Sequence, residues 1–394
     1  MKKIIAILVI LCVAGALFAA DANVTFKGMS ALDNRSSGMG GGFVTDTSDY
    51  FTLMRNPAGL AFSGRHNLIG VTNINLGGPF EEALEIVQNP DMLSDQTAII
   101  NEAKGLLSEN KLNIGFSLGG PIAIGGTYKN GFGWGLADQV KVNVSAPSTI
   151  VKANVELDGD FILGYGHAID LGALGKIAAG LSADIYAQVP YMNVNANLMN
   201  LLTATDMTSY LTNLMQFKTS TGANFNLGLQ WRFLDFLNVG AVINNMVSVV
   251  ANSTLTVDPE NLDPAALLVF ADSFQTTTGA GTLDIGVGLD IPTKWTLGLI
   301  SSWGAYADIK DVFGCMKNDP LERNPILNMS IGTEMTLLNF ISVRGGISDT
   351  YLHAGVGLRL LGLHIDAAVY GKELGTEPGT APQMNAAISI GIRH

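Results

Sequence analysis

The residues that could do chemistry are few, and their spacing joins almost none of them. Five histidines, His66, His167, His353, His364 and His394, stand apart, with no HExxH or GxSxG pattern around them. The two cysteines are Cys12 and Cys315. Cys12 lies in an apolar leader, so after processing Cys315 has no cysteine partner for a disulfide or a metal site. Gly38 to Gly42 holds four glycines around Met39, but no Lys-Ser/Thr pair follows and no strand precedes it, which excludes a phosphate loop. These residues read as a chain that is not an enzyme and carries no cofactor and no metal.

Composition narrows the class. The 394 residues carry a net charge of −12, which argues against a nucleic-acid partner, since phosphates demand clustered lysine and arginine. Lys2 and Lys3 followed by the apolar run Ile4 to Phe18 and the small residues Ala20-Asp21-Ala22 read as a secretory signal peptide, residues 1–22. Cleavage after Ala22 has rivals after Ala19 and Ala20. The chain as a whole is apolar for a secreted protein, with 46 glycines and a mean hydropathy of +0.30. Yet it lacks an apolar helix of about 20 residues. The stretch 236–257 is uncharged but broken by Asn238, Asn244, Asn245, Ser248 and Asn252, and reads as strand. An apolar secreted chain without spanning helices predicts an all-β protein, a transmembrane antiparallel β-barrel.

The elements that position any site therefore alternate with period two. Leu283, Ile285, Val287, Leu289 and Ile291 share one face, with Asp284, Gly286, Gly288 and Asp290 on the other. The segments 177–189, 225–233, 327–335 and 384–392 repeat the pattern, and the polar face is small and glycine-rich, as a filled lumen requires. About 14–16 strands are expected. In the upper count 112–119 and 121–129 are separate strands, and likewise 148–158 and 160–169. Tight connections at Gly119-Gly120, Ala146-Pro147, 170–173, Leu234-Asp235, Pro292-Thr293, Leu338-Asn339 and Leu361 contrast with long ones at 77–111, 191–220, 250–280, 308–325 and 372–383. Short turns on one rim and long extracellular loops on the other are the asymmetry of an outer-membrane barrel. Trp295 and Trp303 share parity, so both are expected to face outward about 20 Å apart along the axis, one near each interface.

Two places could hold a ligand. In the loop 191–220, Met207, Tyr210, Leu211, Leu214, Met215 and Phe217 fall on a helical stripe, with Leu202 in an apolar group before it. Such a helix either packs down on the rim or covers a ligand. In the lumen, the turn at Leu361 makes neighbours of Arg359, His364, Asp366 and, further up, His353. This polar cluster is either a structural tie or a ligand contact, since an arginine facing lipid at mid-depth costs about 2–4 kcal/mol.

The run Gly38 to Val44 followed by Leu53 to Leu60, which includes Arg55-Asn56-Pro57, resembles the amino-terminal segment of the FadL/PorV group of outer-membrane barrels. The run Phe340 to Gly346 and the YxxELG-like element Tyr370 to Gly375 resemble the closing hairpins of that group. The resemblance implies a hatch folded inside the barrel, spanning residues 23–62 and built on Gly38, Gly40, Gly41, Gly42, Arg55, Asn56 and Pro57. It implies a barrel from 63 to 394 and short helices in the outer loops that form an apolar groove. The chain departs from such barrels in ending on Arg393-His394 rather than on an aromatic residue read by the insertion machinery. The function implied is passive uptake of hydrophobic small molecules, long-chain fatty acids or similar lipids and aromatics. The alternative is a PorV-like barrel that docks secreted proteins or a secretion apparatus, or a structural surface barrel. The partners expected are outer-membrane lipid, the hydrophobic ligand and the insertion machinery, around a monomer in the outer membrane.

Overall fold

The computed structural model describes residues 32–78, 113–145, 150–197, 216–233, 236–255, 274–278, 281–316 and 323–393. The signal peptide, most of loops 77–111, 191–220 and 250–280, and therefore the stripe Leu202 to Met215, lie outside the described residues. Phe217 is described, and it corrects the helical stripe: it sits in a strand paired with Leu255, not on a helix.

Fifteen strand segments form one sheet: β1 (His66–Gly78), β2 (Asn113–Thr127), β3 (Phe132–Ser145), β4 (Ile150–Asp170), β5 (Lys176–Asn197), β6 (Gln216–Phe233), β7 (Leu237–Leu255), β8 (Phe274–Thr278), β9 (Thr282–Asp290), β10 (Ile300–Ile309), β11 (Met329–Leu337), β12 (Ile341–Ser348), β13 (Tyr351–Leu360), β14 (Leu363–Glu373) and β15 (Pro382–Arg393). Neighbours in sequence pair antiparallel, and β15 pairs with β1, Ile388 opposite Ile74, which closes the ring. Strand β9 lies on the lower half of β7 and β8 on its upper half, so the two fill one position and the barrel has 14 strands. Closure of β15 on β1 removes the two terminal edges that an open sheet would present.

The outer surface says where such a barrel can live. Along β13, Leu352, Val356 and Leu358 are exposed while His353, Gly355 and Gly357 are covered; along β15, Ile388, Ile390 and Ile392 are exposed while Ser389 is covered. Isoleucine, leucine and valine in water on this scale would be a large exposed apolar patch; in lipid they are solvated. The fold is a transmembrane β-barrel. No helix among the described residues is long and apolar enough to cross a membrane.

Two expected breaks between strands are not breaks. Gly119-Gly120 lies inside β2, where the pairing with β3 skips from Gly119 to Ala123. The facing β1 is irregular at the same level, with Val71 buried. Gly159 lies inside an uninterrupted β4. Merging those two pairs takes the upper strand count to 14. Ala146-Pro147 lies outside the described residues, but the register puts the ends of β3 and β4 on either side of it on the rim of the long loops, the rim that also carries the two-residue turn Asp349-Thr350. The rims are thus less cleanly segregated than the spacing suggests. Trp295 also departs from expectation. It sits in a 3-10 turn, Lys294–Thr296, below the start of β10, and its indole N–H donates to Pro292 O at 2.8 Å. Trp231 does the same to Leu174 O at 2.8 Å, and both rings mark the short-turn rim.

Candidate functional site

The inside of the ring is filled by residues 32–63, which contribute no strand and fold as short helices, Asn34–Ser37 and Thr52–Arg55, and a 3-10 turn, Pro57–Ala61. Phe43, Phe51, Leu53 and Met39 on this segment are fully buried. The glycine-rich wall makes room for it. A side chain at Gly180 of β5 would collide with the backbone of Pro57 and Ala58, one at Gly346 of β12 with that of Met39, and Gly38 itself lies against the Cα of Gly355. Gly40 and Gly41 have φ of +96° and +134°, conformations that side chains resist. Asn56 is extended, its side-chain oxygen accepts from Ala58 N at 3.0 Å, and its amide donates to Leu229 O at 3.1 Å. The Asn56-Pro57 bend is thereby fixed to β6.

Charge then ties the segment together and to the wall. Asp33 caps its helix by accepting from Ser36 N at 3.1 Å and pairs with Arg55 at 2.6 Å. Arg55 also reaches Asp46 at 2.8 Å and Asp49 at 3.0 Å, and Arg35 pairs with the same two carboxylates. Burial alone would raise the carboxyls of Asp46 and Asp49. The guanidinium groups of Arg35 and Arg55 outweigh it and hold both below the usual carboxylate range. Arg35 then leaves the segment: its Nε meets Glu334 of β11 at 2.6 Å. Glu334 accepts from Arg344 at 3.1 Å, Arg344 donates to Asp366 at 2.7 Å, and Asp366 accepts from Arg393 at 3.1 Å. Arg393 closes the chain of contacts by lying 5.2 Å over the ring of Phe51. A separate tie runs from Val44 N to Asp308 of β10 at 2.7 Å.

The structure brings together part of the expected lumen cluster. Asp366 and His353 are buried on the inner face, His364 is half-buried, and Arg359 pairs with it in register but is exposed at the short-turn rim. His353 Nδ1 lies 2.8 Å from Ser37 O on the inner segment, and its ring stacks on Tyr370. Asp366 serves the network, but its partners are Arg344 and Arg393 rather than Arg359. Glu334, Arg344, Arg393, Arg35 and Asp308 were not singled out as site residues, although strand parity already places Glu334 on an inner face. Glu373 of the YxxELG-like element has a plain job: its carboxylate accepts from Gly375 N at 2.9 Å, Gly379 N at 2.7 Å and Ala381 N at 2.7 Å, which shapes the β14–β15 loop. Among the described residues no group of His, Cys, Asp and Glu could hold a metal ion.

No protein-family model matches the chain, and no curated protein matches it. Solved structures resemble it. The toluene transporter TodX of Pseudomonas putida aligns over 91% of this chain and 96% of its own at 13% identity, with a TM-score of 0.45. The monoaromatic hydrocarbon channel CymD aligns over 91% and 96% at 10% identity and 0.45, and a FadL homologue of Pseudomonas aeruginosa over 91% and 97% at 10% identity and 0.41. The barrel assignment rests on strand register and outer surface, not on these likenesses.

Proposed function

We propose that the chain is an outer-membrane channel for passive uptake of hydrophobic small molecules, long-chain fatty acids or similar lipids and aromatics, with residues 23–62 as its hatch. One observation carries the reading. The inner segment adds no strand to the closed ring and meets it only through side chains and glycine faces: the apolar cluster of Leu32, Tyr50, Leu53 and Leu60 with Val71, Ala123 and Ile162, the stacking of Phe43 on Tyr306, a few hydrogen bonds and the ion pair between Arg35 and Glu334. A body seated this way can shift while the ring keeps its own ladder. Two sequence features support the same reading: the resemblance of Gly38 to Leu60 to a hatch, and the apolar stripe Met207 to Met215 in an outer loop, where a hydrophobic molecule would first dock.

The test is extraction of the detergent-purified protein with organic solvent, together with native mass spectrometry. A co-purified fatty acid or lipid, and uptake of that compound lost on gene deletion, is the expected result. A folded barrel that retains no apolar ligand, and whose deletion leaves uptake intact, would refute the channel and leave a barrel that docks proteins.

A further inference from the structure

The left-handed backbone positions of the barrel carry different residues at its two ends. On the long-loop rim they hold Asp311, Asp349 and Thr350, with φ of +47°, +54° and +69°. On the short-turn rim they hold Leu297, Leu338 and Leu361, with φ of +53°, +50° and +48°. Each of these leucines precedes a second positive-φ residue, Gly298, Asn339 or Gly362. In such pairs asparagine, aspartate or glycine is the ordinary first member, and leucine fits the conformation poorly. Packing within the protein does not reward it either: Leu297 is 98% exposed, Leu338 53%, and Leu361 fully. Because polar residues fill the same geometry at the other rim, the backbone does not choose leucine; the surroundings do.

The three turns form one arc. Leu338 N donates to Leu299 O at 3.0 Å, and Arg359 N, at the strand end leading to Leu361, donates to Phe340 O at 2.8 Å. The lipid-facing surface of the wall runs onto this arc without a break: Leu360 and Leu363, paired in register, flank Leu361, and all three are exposed. The rings of Trp295 and Trp231 at the same rim need no water, since each indole N–H is already bonded to a backbone carbonyl. Height gives the reason. Strands β9 to β13 have eight to ten residues. At about 3.3 Å per residue and a tilt of about 40° they rise roughly 18–23 Å, against an apolar band about 25 Å tall. On this side of the ring the strands alone fall short of the hydrocarbon, and the turns supply the missing height.

We propose that the turns of Leu297, Leu338 and Leu361 are seated in the acyl chains of the adjoining lipid leaflet, not in water, and anchor the short-stranded side of the barrel there. The occupant of the arc is lipid, because the arc continues the lipid-facing wall. Lys294 and Arg359, exposed at the same rim, reach from it to the head groups on long apolar stems. The inference rests on the barrel alone and is independent of what the barrel carries.

Two measurements on the full chain in phosphatidylcholine vesicles test it. In the first, Leu361→Cys in an otherwise cysteine-free chain carries a spin label. Oxygen, which concentrates in hydrocarbon, should relax that label several-fold more than a water-soluble nickel chelate does, and a label at Thr350→Cys should show the reverse. In the second, asparagine replaces all three leucines, which restores an ordinary turn residue. Seated in lipid, this variant should unfold at lower urea concentration than the native protein in dioleoyl vesicles and match it in thin didecanoyl ones. In water the sign is opposite, because relief of the left-handed leucines raises the midpoint in both. Heat-modifiable migration reports folding, and Leu361→Asn alone gives the same test of sign if the triple variant does not fold. Nickel relaxing the two labels equally, with the asparagine variant at least as stable as the native protein in dioleoyl vesicles, overturns the lipid seat and leaves a water-facing apolar rim for a protein partner.

Discussion

Arg35 Nε lies 2.6 Å from Glu334 Oε2, and this contact joins the segment inside the ring to the ring itself. On one side of it, Arg35 and Arg55 neutralise Asp33, Asp46 and Asp49 within the segment. On the other, Glu334 begins the wall series that continues through Arg344, Asp366 and Arg393. All of these groups are buried except the half-buried Asp49, so each depends on its neighbour for charge compensation.

Removing either partner breaks the contact that ties the segment to β11, while Glu334 keeps Arg344 and Arg35 keeps Asp46, so the cost falls below the about 3–5 kcal/mol of an orphaned buried charge. Arg35→Met and Glu334→Gln should therefore each loosen the inner segment while the barrel stays folded. Single-channel conductance in a planar bilayer should rise for either substitution and fall back partly in the double variant. Conductance unchanged in variants that still migrate as heat-modifiable barrels would show that the pair does not hold the segment.

The glycine wall gives a steric test. A β-carbon at Gly180 would overlap the backbone of Pro57, whereas one at Gly41 would come within 2.8 Å of Lys310 Nζ, the far end of a long side chain, and is opposed mainly by its φ of +134°. Gly180→Ala should cost about 1–3 kcal/mol or more by overpacking and raise conductance. Gly159→Ala meets nothing within 4 Å and should leave conductance unchanged. Equal behaviour of the two alanines would mean that the segment does not press on the wall.

Acid should raise conductance only late. The carboxyls of Asp46 and Asp49 are held below their usual value of about 4 when the segment is docked. A depressed folded-state pKa contributes stability that is fully present above about pH 4 and is lost as pH falls through the depressed value. Conductance should stay low from neutral pH to about pH 4 and rise only in stronger acid. A rise between pH 7 and 5 would show that other groups control the seat of the segment.

Orientation is checked by labelling intact cells. Tags placed between Asn197 and Gln216 or between Leu255 and Phe274, strand ends that lie on the long-loop rim, should be reachable, while a tag at Pro292-Thr293, on the short-turn rim beside Trp295, should not. The opposite pattern would mean that the barrel sits inverted.

The alternation of Leu283 to Ile291 or Met384 to Ile392 was enough to read a barrel, because a closed sheet between lipid and a filled lumen leaves each strand residue only two environments. Parity likewise told which way His353, Asp366 and Glu334 point. It could not tell what they meet. Arg35 and Glu334 are 299 positions apart, and nothing local to either encodes the other; their contact exists because the segment is folded inside the ring at the height of β11. The glycines show the same limit. Gly119-Gly120 reads as a turn and position 159 as a break between strands, since glycine in a single sequence signals only the lack of a side chain. In the barrel both positions lie within continuous strands. Trp295 misled for a related reason: its parity with Trp303 has meaning only within one strand, and β10 begins at Ile300. The local pattern of side chains was set by the sequence; which empty or charged position faces which, across a ring closed by β1 and β15, was decided by tertiary packing, because those contacts join residues hundreds of positions apart.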